Sequence, residues 1–172
     1  HSLGTNTNYL RLFDARNLFA PATNTDLNNL LTSIYNSATP PVNIDADALI
    51  NKVLSGKTYT DLDGTDFSWF LGDFVHSEPL VQKFDKDCNG DGSAADDYIF
   101  VGSNDGMLHT FCAANGEEEW AFIPPSQLGR LNLIDSGQHD YFVDGSPVIV
   151  DIPVANTTPV NTQKLLIFGE GR

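Results

Sequence analysis

The stretch from Asp85 to Trp120, DKDCNGDGSAADDYIFVGSNDGMLHTFCAANGEEEW, constrains the fold more than any other part of the chain. An acidic loop of metal-ligand spacing runs directly into three short alternating segments bounded by Gly-containing turn residues. The segments 97–102, 106–113 and 117–123 therefore read as successive antiparallel strands. Ser103-Asn104-Asp105-Gly106 and Ala114-Asn115-Gly116 supply the residues that tight hairpins need at positive φ. A further strand is expected over 79–84, with Pro79 tolerable only at a strand start or edge. Four meandering strands in about 45 residues match the size of one propeller blade, although a sandwich also uses meanders.

An internal repeat extends this pattern. Pro79-Leu80-Val81 and Pro147-Val148-Ile149 lie 68 positions apart, and Phe100-Val101-Gly102 aligns with Ile167-Phe168-Gly169 at 67. The second copy reaches only its second strand. The expected fold class is therefore mainly β: a partial, truncated β-propeller with short helices in the N-terminal part and between blades. One blade falls at about 78–123 and the start of a second at about 144–172, within a propeller segment over 71–172. A sheet cut at that point would expose unpaired backbone groups and an apolar face, so the chain is read as a fragment or as one completed by another chain.

Residues 1–70 read as a helical and irregular lead-in. It holds an alternating run at 9–16, then a helix over 26–36 that Asp26 could cap, with Leu27, Leu30, Leu31 and Ile34 on one face. A second helix follows Pro40-Pro41, with Asp45 as N-cap, Leu49, Ile50, Val53 and Leu54 at helical spacing, and Gly56 as its stop. The segment 58–68 carries Asp61, Asp63 and Asp66 and reads as a solvated connector in preference to a second cation loop. Beyond Pro124-Pro125, SQLGRLNLI suggests a short helix capped by Ser126, before a polar loop around Gly137.

Twenty-three acidic against nine basic side chains give a formal charge of −14, which disfavours nucleic acid and anionic lipid and leaves divalent cations as natural counter-ions. No apolar run approaches the ~18 residues of a membrane-spanning helix. The first residue is His1 and no signal-peptide pattern precedes the lead-in, which suggests a processed or excised fragment. Cys88 and Cys112 match no CxxC, haem or zinc pattern. Either they form a bridge that pins the acidic loop to a returning strand, in keeping with an exported protein, or they stay as an exposed thiol at 88 and a half-buried one at 112.

The acidic loop fits calcium in two registers. Counted from Asp85, it follows the EF-hand order: Asp85, Asp87 and Asn89, Gly90 at the bend, the Asp91 carbonyl, Ser93 and Asp96. Counted from Asp87, it reads DxNxDG with Gly92 at the bend and Asp96 closing. Alternating oxygen donors around a glycine bend are what a hard cation needs to collect six or seven ligands from one short loop. Zinc is disfavoured, since no His or thiolate cluster accompanies the carboxylates. His76, His109 and His139 could be drawn into a catalytic triad with nearby Ser or Asp, but each sits in a strand or loop motif with its own structural role, so no catalytic residue is assigned.

The hairpin GSNDGMLHTFCAANGEEEW resembles the repeat of quinoprotein-like propellers, in which a terminal Trp, here Trp120, docks between blades. A wider set of motifs is more specific: DALINKVLSG, LGDFVHSEPLV, the acidic loop, DDYIFVGSNDGMLHTF, EEEWAFIPPSQLGRL, YFVDGSPVIVD and LLIFGEGR. In this order, over 44–172, they resemble the C-terminal propeller of the PilY/PilC family of type IV pilus biogenesis proteins and tip adhesins. The resemblance implies a non-enzymatic, exported component that passes the periplasm and outer membrane to the pilus tip at the cell surface. It implies action in pilus biogenesis and adhesion, with pilin, minor pilins and the remaining blades as partners. It implies calcium held by Asp87, Asn89, Asp91, the Ser93 carbonyl and Asp96. The loop is one residue longer between Asp91 and Asp96 than the family's compact form, and Cys112 stands where an Asp is common. The alternatives carried with this reading are a propeller fragment of a quinone-cofactor dehydrogenase, and a structural subunit whose open edge takes a strand from a neighbour.

Overall fold

The computed structural model describes residues 25–55, 57–69, 71–134, 139–154 and 162–171. Two helices come first, α1 (Thr25–Asn36) and α2 (Ala46–Ser55), followed by a hairpin of β1 (Lys57–Thr60) and β2 (Asp66–Trp69). A four-stranded antiparallel meander then runs in the order β3 (Leu80–Phe84), β4 (Asp96–Gly102), β5 (Leu108–Cys112) and β6 (Glu118–Phe122). A 3-10 helix (Pro125–Leu133) leads to a last hairpin, β7 (Val148–Pro153) and β8 (Thr162–Ile167). The run at 9–16, Gly56 and the loop at Gly137 lie outside the described residues, as do the side chains of Asp26, Leu27 and Leu54.

The truncated propeller expected from the repeat is not what these residues form. They make a mixed α/β arrangement, with helices and three separate sheets of two, four and two strands, none closed around an axis. Periodicity identified strands correctly, but it carries no information on closure. The helices pack on the end of the meander. Leu31 and Tyr35 of α1 and Ile50 of α2 share one buried cluster with Met107, Ala121 and Ile123 at the end of the meander. Leu128 and Leu131 of the 3-10 helix complete it.

Local chemistry explains the elements. The Ala48 amide donates to the Asp45 carboxylate at 3.0 Å, the N-cap bond expected for α2. In α1, Leu31 is fully buried and Leu30 and Ile34 pack against the cluster, while Thr25 already opens the helix, so Asp26 lies in its first turn. Tyr35 joins the same face, and its hydroxyl accepts the Asn132 amide at 3.0 Å, tying α1 to the 3-10 helix. Ser126 does not cap that helix. Pro124 occupies the N-cap position without a side-chain bond, and Ser126 Oγ donates to Glu170.

The segment expected as a solvated connector forms the β1–β2 hairpin. Asp61 turns the chain by accepting the Leu62 amide at 2.6 Å, and Asp63 accepts that of Thr65 at 2.8 Å. That backbone bond holds the Asp63 pKa below the ordinary carboxylate value. Tyr59 and Phe67, directly opposite in register, stack at 5.8 Å.

The internal repeat is reproduced in register, since Leu80 pairs with Phe100 and Val148 with Ile167. Its two copies also touch at equivalent positions. The His76 amide and ring both bond Asp144, Ser77 Oγ donates to the Gly145 carbonyl, and the Glu78 amide donates to Ser146 Oγ, each pair 68 residues apart. Gly145 lies so close to Gly169 that a Cβ there would sit 2.6 Å from the Gly169 Cα. Phe122 meets Phe168 edge-on at 5.9 Å, which sets the meander against the last hairpin.

Candidate functional site

The acidic loop spans residues 85–95, and the pairing of Phe84 with Asp96 closes its base. Asp87 is its hub. One carboxylate oxygen accepts the amides of Asn89 at 3.2 Å and Gly90 at 2.6 Å, and the other accepts that of Gly92 at 2.8 Å. These bonds, led by that from Gly92, hold the Asp87 pKa below its ordinary value. The ladder continues as Asn89 Oδ1 accepts the Asp91 amide at 2.9 Å and Asp91 Oδ1 accepts that of Ser93 at 2.7 Å. Gly90 and Gly92 sit at φ of 74° and 86°, a region in which only glycine is free of strain. Asp85 is exposed just past β3, Ser93 Oγ donates to the Ala95 carbonyl, and Asp96 Oδ2 accepts the Cys88 amide at 2.9 Å.

The donor set of carboxylate, amide and backbone oxygens suits a hard cation in chemistry. Its geometry is not a ready-made cage. Among the described residues, only Cys88, Asp96 and Cys112 form a group of three or more His, Cys, Asp or Glu with ligand atoms within 4.8 Å of one another. The two sulfurs are bonded to each other, so that group is a disulfide beside a carboxylate. Of the two alternatives for the cysteines, the structure holds the bridge. It ties the middle of the loop to the end of β5, where Cys112 pairs across the sheet with Tyr98.

Two side chains outside the loop face it. Tyr98 is 4% exposed, and its hydroxyl has no hydrogen-bond partner. Burial raises its pKa, and the negative charges of Glu119, Asp96 and Asp87 raise it further. Glu119 stands at a β-bulge: Thr110 pairs with Trp120 and Phe111 with Glu118, leaving Glu119 as the extra residue. Its carboxylate lies 3.6 Å from Lys86 Nζ at the start of the loop. Neither residue was singled out from sequence. The acidic run 117–119 read only as a strand, and nothing in alternation reveals a bulge. Trp120, expected between blades, packs edge-on against Phe100 of its own sheet at 5.9 Å.

His76, His109 and His139 each meet carboxylates. His109 is fully buried, with Nδ1 2.5 Å from Glu118 and Nε2 2.9 Å from Asp105. Burial by itself would lower its pKa, but the charge of Asp105 and the hydrogen bonds that both carboxylates accept from the ring outweigh that and raise it to about 9. His76 pairs with Asp144 at 2.6 Å and His139 with Asp73 at 2.7 Å, and both rings lie against Tyr141.

Comparison with known proteins points in one direction. The chain is 37% identical over 102 residues to the type IV pilus biogenesis factor PilY1 of Pseudomonas aeruginosa strain UCBPP-PA14, covering 47% of this chain and 9% of that protein. PilY1 of strain PAO1 is 43% identical over 58 residues, covering 31% of this chain and 5% of its own length. A PilY1 homolog of Xylella fastidiosa strain Temecula1 is 43% identical over 61 residues, covering 34% of this chain and 4% of its own. The chain thus spans less than a tenth of the length of these relatives, and the link is a distant, partial homology to PilY1-type proteins. No family model matches the chain. No solved structure matches it. Among the described residues, no helix is long and apolar enough to cross a membrane.

Proposed function

We infer that the chain works in type IV pilus biogenesis, as an exported, surface-associated and non-catalytic segment that associates with pilin or minor pilins and contributes to adhesion. The observation that carries this reading is the 37% identity to PilY1 over 102 residues. The disulfide supports export, since such bonds persist in oxidising compartments. Deleting the coding sequence from its source organism should strip pili from the cell surface, counted by electron microscopy, and re-expression should restore them. Unchanged piliation would overturn the reading.

Calcium is part of the same proposal. Asp85, Asp87, Asn89, Asp91, Ser93 and Asp96 would hold the ion, supplying hard oxygen donors from one loop that the disulfide and the β3–β4 ladder already confine. Binding would draw together carboxylates that now face backbone amides, and would relieve their mutual repulsion. Calcium should then raise the melting temperature, because a ligand specific to the folded state adds about 2.7 kcal/mol at a hundredfold excess over its Kd. Asp87→Ala should abolish the shift. An absence of any calcium-dependent shift in the wild-type chain would leave the loop as an acidic turn.

A further inference from the structure

The buried hydroxyl of Tyr98 is the most unusual group near the loop. An unpartnered buried donor costs free energy that a phenylalanine of the same shape would avoid. The ring needs no hydroxyl to pack. It meets Phe84 edge-on at 5.5 Å and sits beside Cys112 across the sheet. What the hydroxyl has around it is negative charge, from Asp96 two residues earlier on the same face of β4, from Asp87 in the loop, and from Glu119.

Glu119 is equally unexplained by folding. Strict alternation along β6 would place it on the face opposite Trp120, but the bulge gives β6 one residue more than β5 at this point. Its carboxylate instead meets Lys86, the residue between Asp85 and Asp87. The negative charge of three carboxylates is therefore felt at the hydroxyl, and the Lys86 ammonium pairs with one of them, Glu119, at 3.6 Å. The Glu119 side chain is only one-fifth exposed, so water screens its charge incompletely.

We propose that the cation site extends beyond the loop: Glu119 supplies a further carboxylate to a divalent, oxygen-seeking cation, and the Tyr98 hydroxyl bonds a water on that cation. Lys86 occupies Glu119 when the cation is absent and competes with it. This rests on the calcium reading of the loop, and it adds a carboxylate from β6 and an anchoring hydroxyl from β4 to ligands otherwise drawn from residues 85–96. The bulge is then the device that turns Glu119 toward the site.

The test is calorimetric titration of calcium chloride into the 172-residue chain and four variants, with folding checked by circular dichroism. Glu119→Gln and Tyr98→Phe should each weaken binding by about 10–100-fold, the usual cost of losing a supporting group at a metal site. Lys86→Gln should tighten it. Glu117→Gln, whose side chain bonds Asn115 at the neighbouring hairpin turn, should leave it unchanged. Without calcium, Tyr98→Phe should melt at or above the wild-type temperature, the opposite sign to its effect on binding. A merely structural tyrosine would not give that pair of results. If wild type binds and both Glu119→Gln and Tyr98→Phe match it within about twofold, the extension is overturned and the loop reading stands. Should Glu119→Gln fail to fold, unchanged affinity in Lys86→Gln overturns the extension instead. A wild-type chain that binds no calcium overturns both.

Discussion

The β3–β4 pair and the β7–β8 pair hold the same stretch of repeat in the same register, and they end in opposite environments. Tyr98 and Phe100 of β4 are each 4% exposed, whereas their repeat counterparts Leu165 and Ile167 of β8 are 44% and 47% exposed. Alternation and hairpin chemistry are common to both pairs, so they cannot be the cause. The difference lies in what flanks them. β4 has β5 beside it and β6 beyond that, Trp120 against Phe100, Phe84 against both aromatic rings, and a disulfide at its shoulder. Among the described residues, the β7–β8 pair has neither a third strand nor a bridge, and Val148, Val150 and Ile152 share one open face with Leu165 and Ile167. A strand pair is thus a local property, and its burial is a property of its neighbours.

Substitution at equivalent positions gives the largest expected contrast. Phe100→Ala should cost about 3–5 kcal/mol by urea denaturation, because the cavity it leaves is enclosed. Ile167→Ala should cost under about 1 kcal/mol, as surface changes do. Equal costs would mean that the open face of β7–β8 is covered in solution.

Next comes the bridge. Reducing Cys88–Cys112 should remove about 3 kcal/mol on the chain-entropy model, given the sequence separation of 24 that it spans. Hydrogen exchange should quicken around the acidic loop and β5 and stay the same in β7 and β8. A uniform increase across both sheets would show that the two stand or fall together.

Buried charge ranks third. The His109 pKa is raised in the folded state, so its stabilising contribution is complete below about 6.5, the unfolded value, and is lost as pH rises through about 9. Between pH 7 and 10 the meander should lose on the order of 2 kcal/mol, and His109→Gln should flatten that slope. Thermal melts against pH decide it, and an unchanged slope in the variant removes His109 as the cause. The smallest effect is expected at Leu165→Lys, which should shift stability by under about 0.5 kcal/mol while reducing self-association in light scattering.

Much of the meander was legible in the sequence because its signals are local. The turn residues at 103–106 and 114–116, the alternation of β4 and the Asp45 cap each act within a few positions. The β1–β2 hairpin was hidden because four-residue strands around an Asp-rich turn barely alternate, and composition favoured a solvated connector. Fold class was missed for a different reason. Sheet closure, and the packing of α1 and α2 on the meander, depend on contacts across some 70 to 100 residues, as with the Tyr35 hydroxyl and the Asn132 amide. At the candidate site, the loop's carboxylates announced themselves by spacing. Glu119 and Tyr98 did not, since a bulge is a mismatch between two strands and an orphaned hydroxyl is a missing partner, and neither is a property of one segment.

The contact of His76 with Asp144 has a consequence for how such a chain can diverge. In an assembly of two identical subunits, a position on the symmetry axis meets itself, so a histidine faces a histidine and a carboxylate faces a carboxylate. Here the equivalent positions lie on one chain, 68 residues apart, and can differ. Two copies on one chain thus permit an attractive imidazole–carboxylate hydrogen bond at the very place where identical subunits would be limited to like against like. Each copy is thereafter answerable to the other: a change at 76 is selected by what stands at 144, and the two halves lose the freedom to be exchanged.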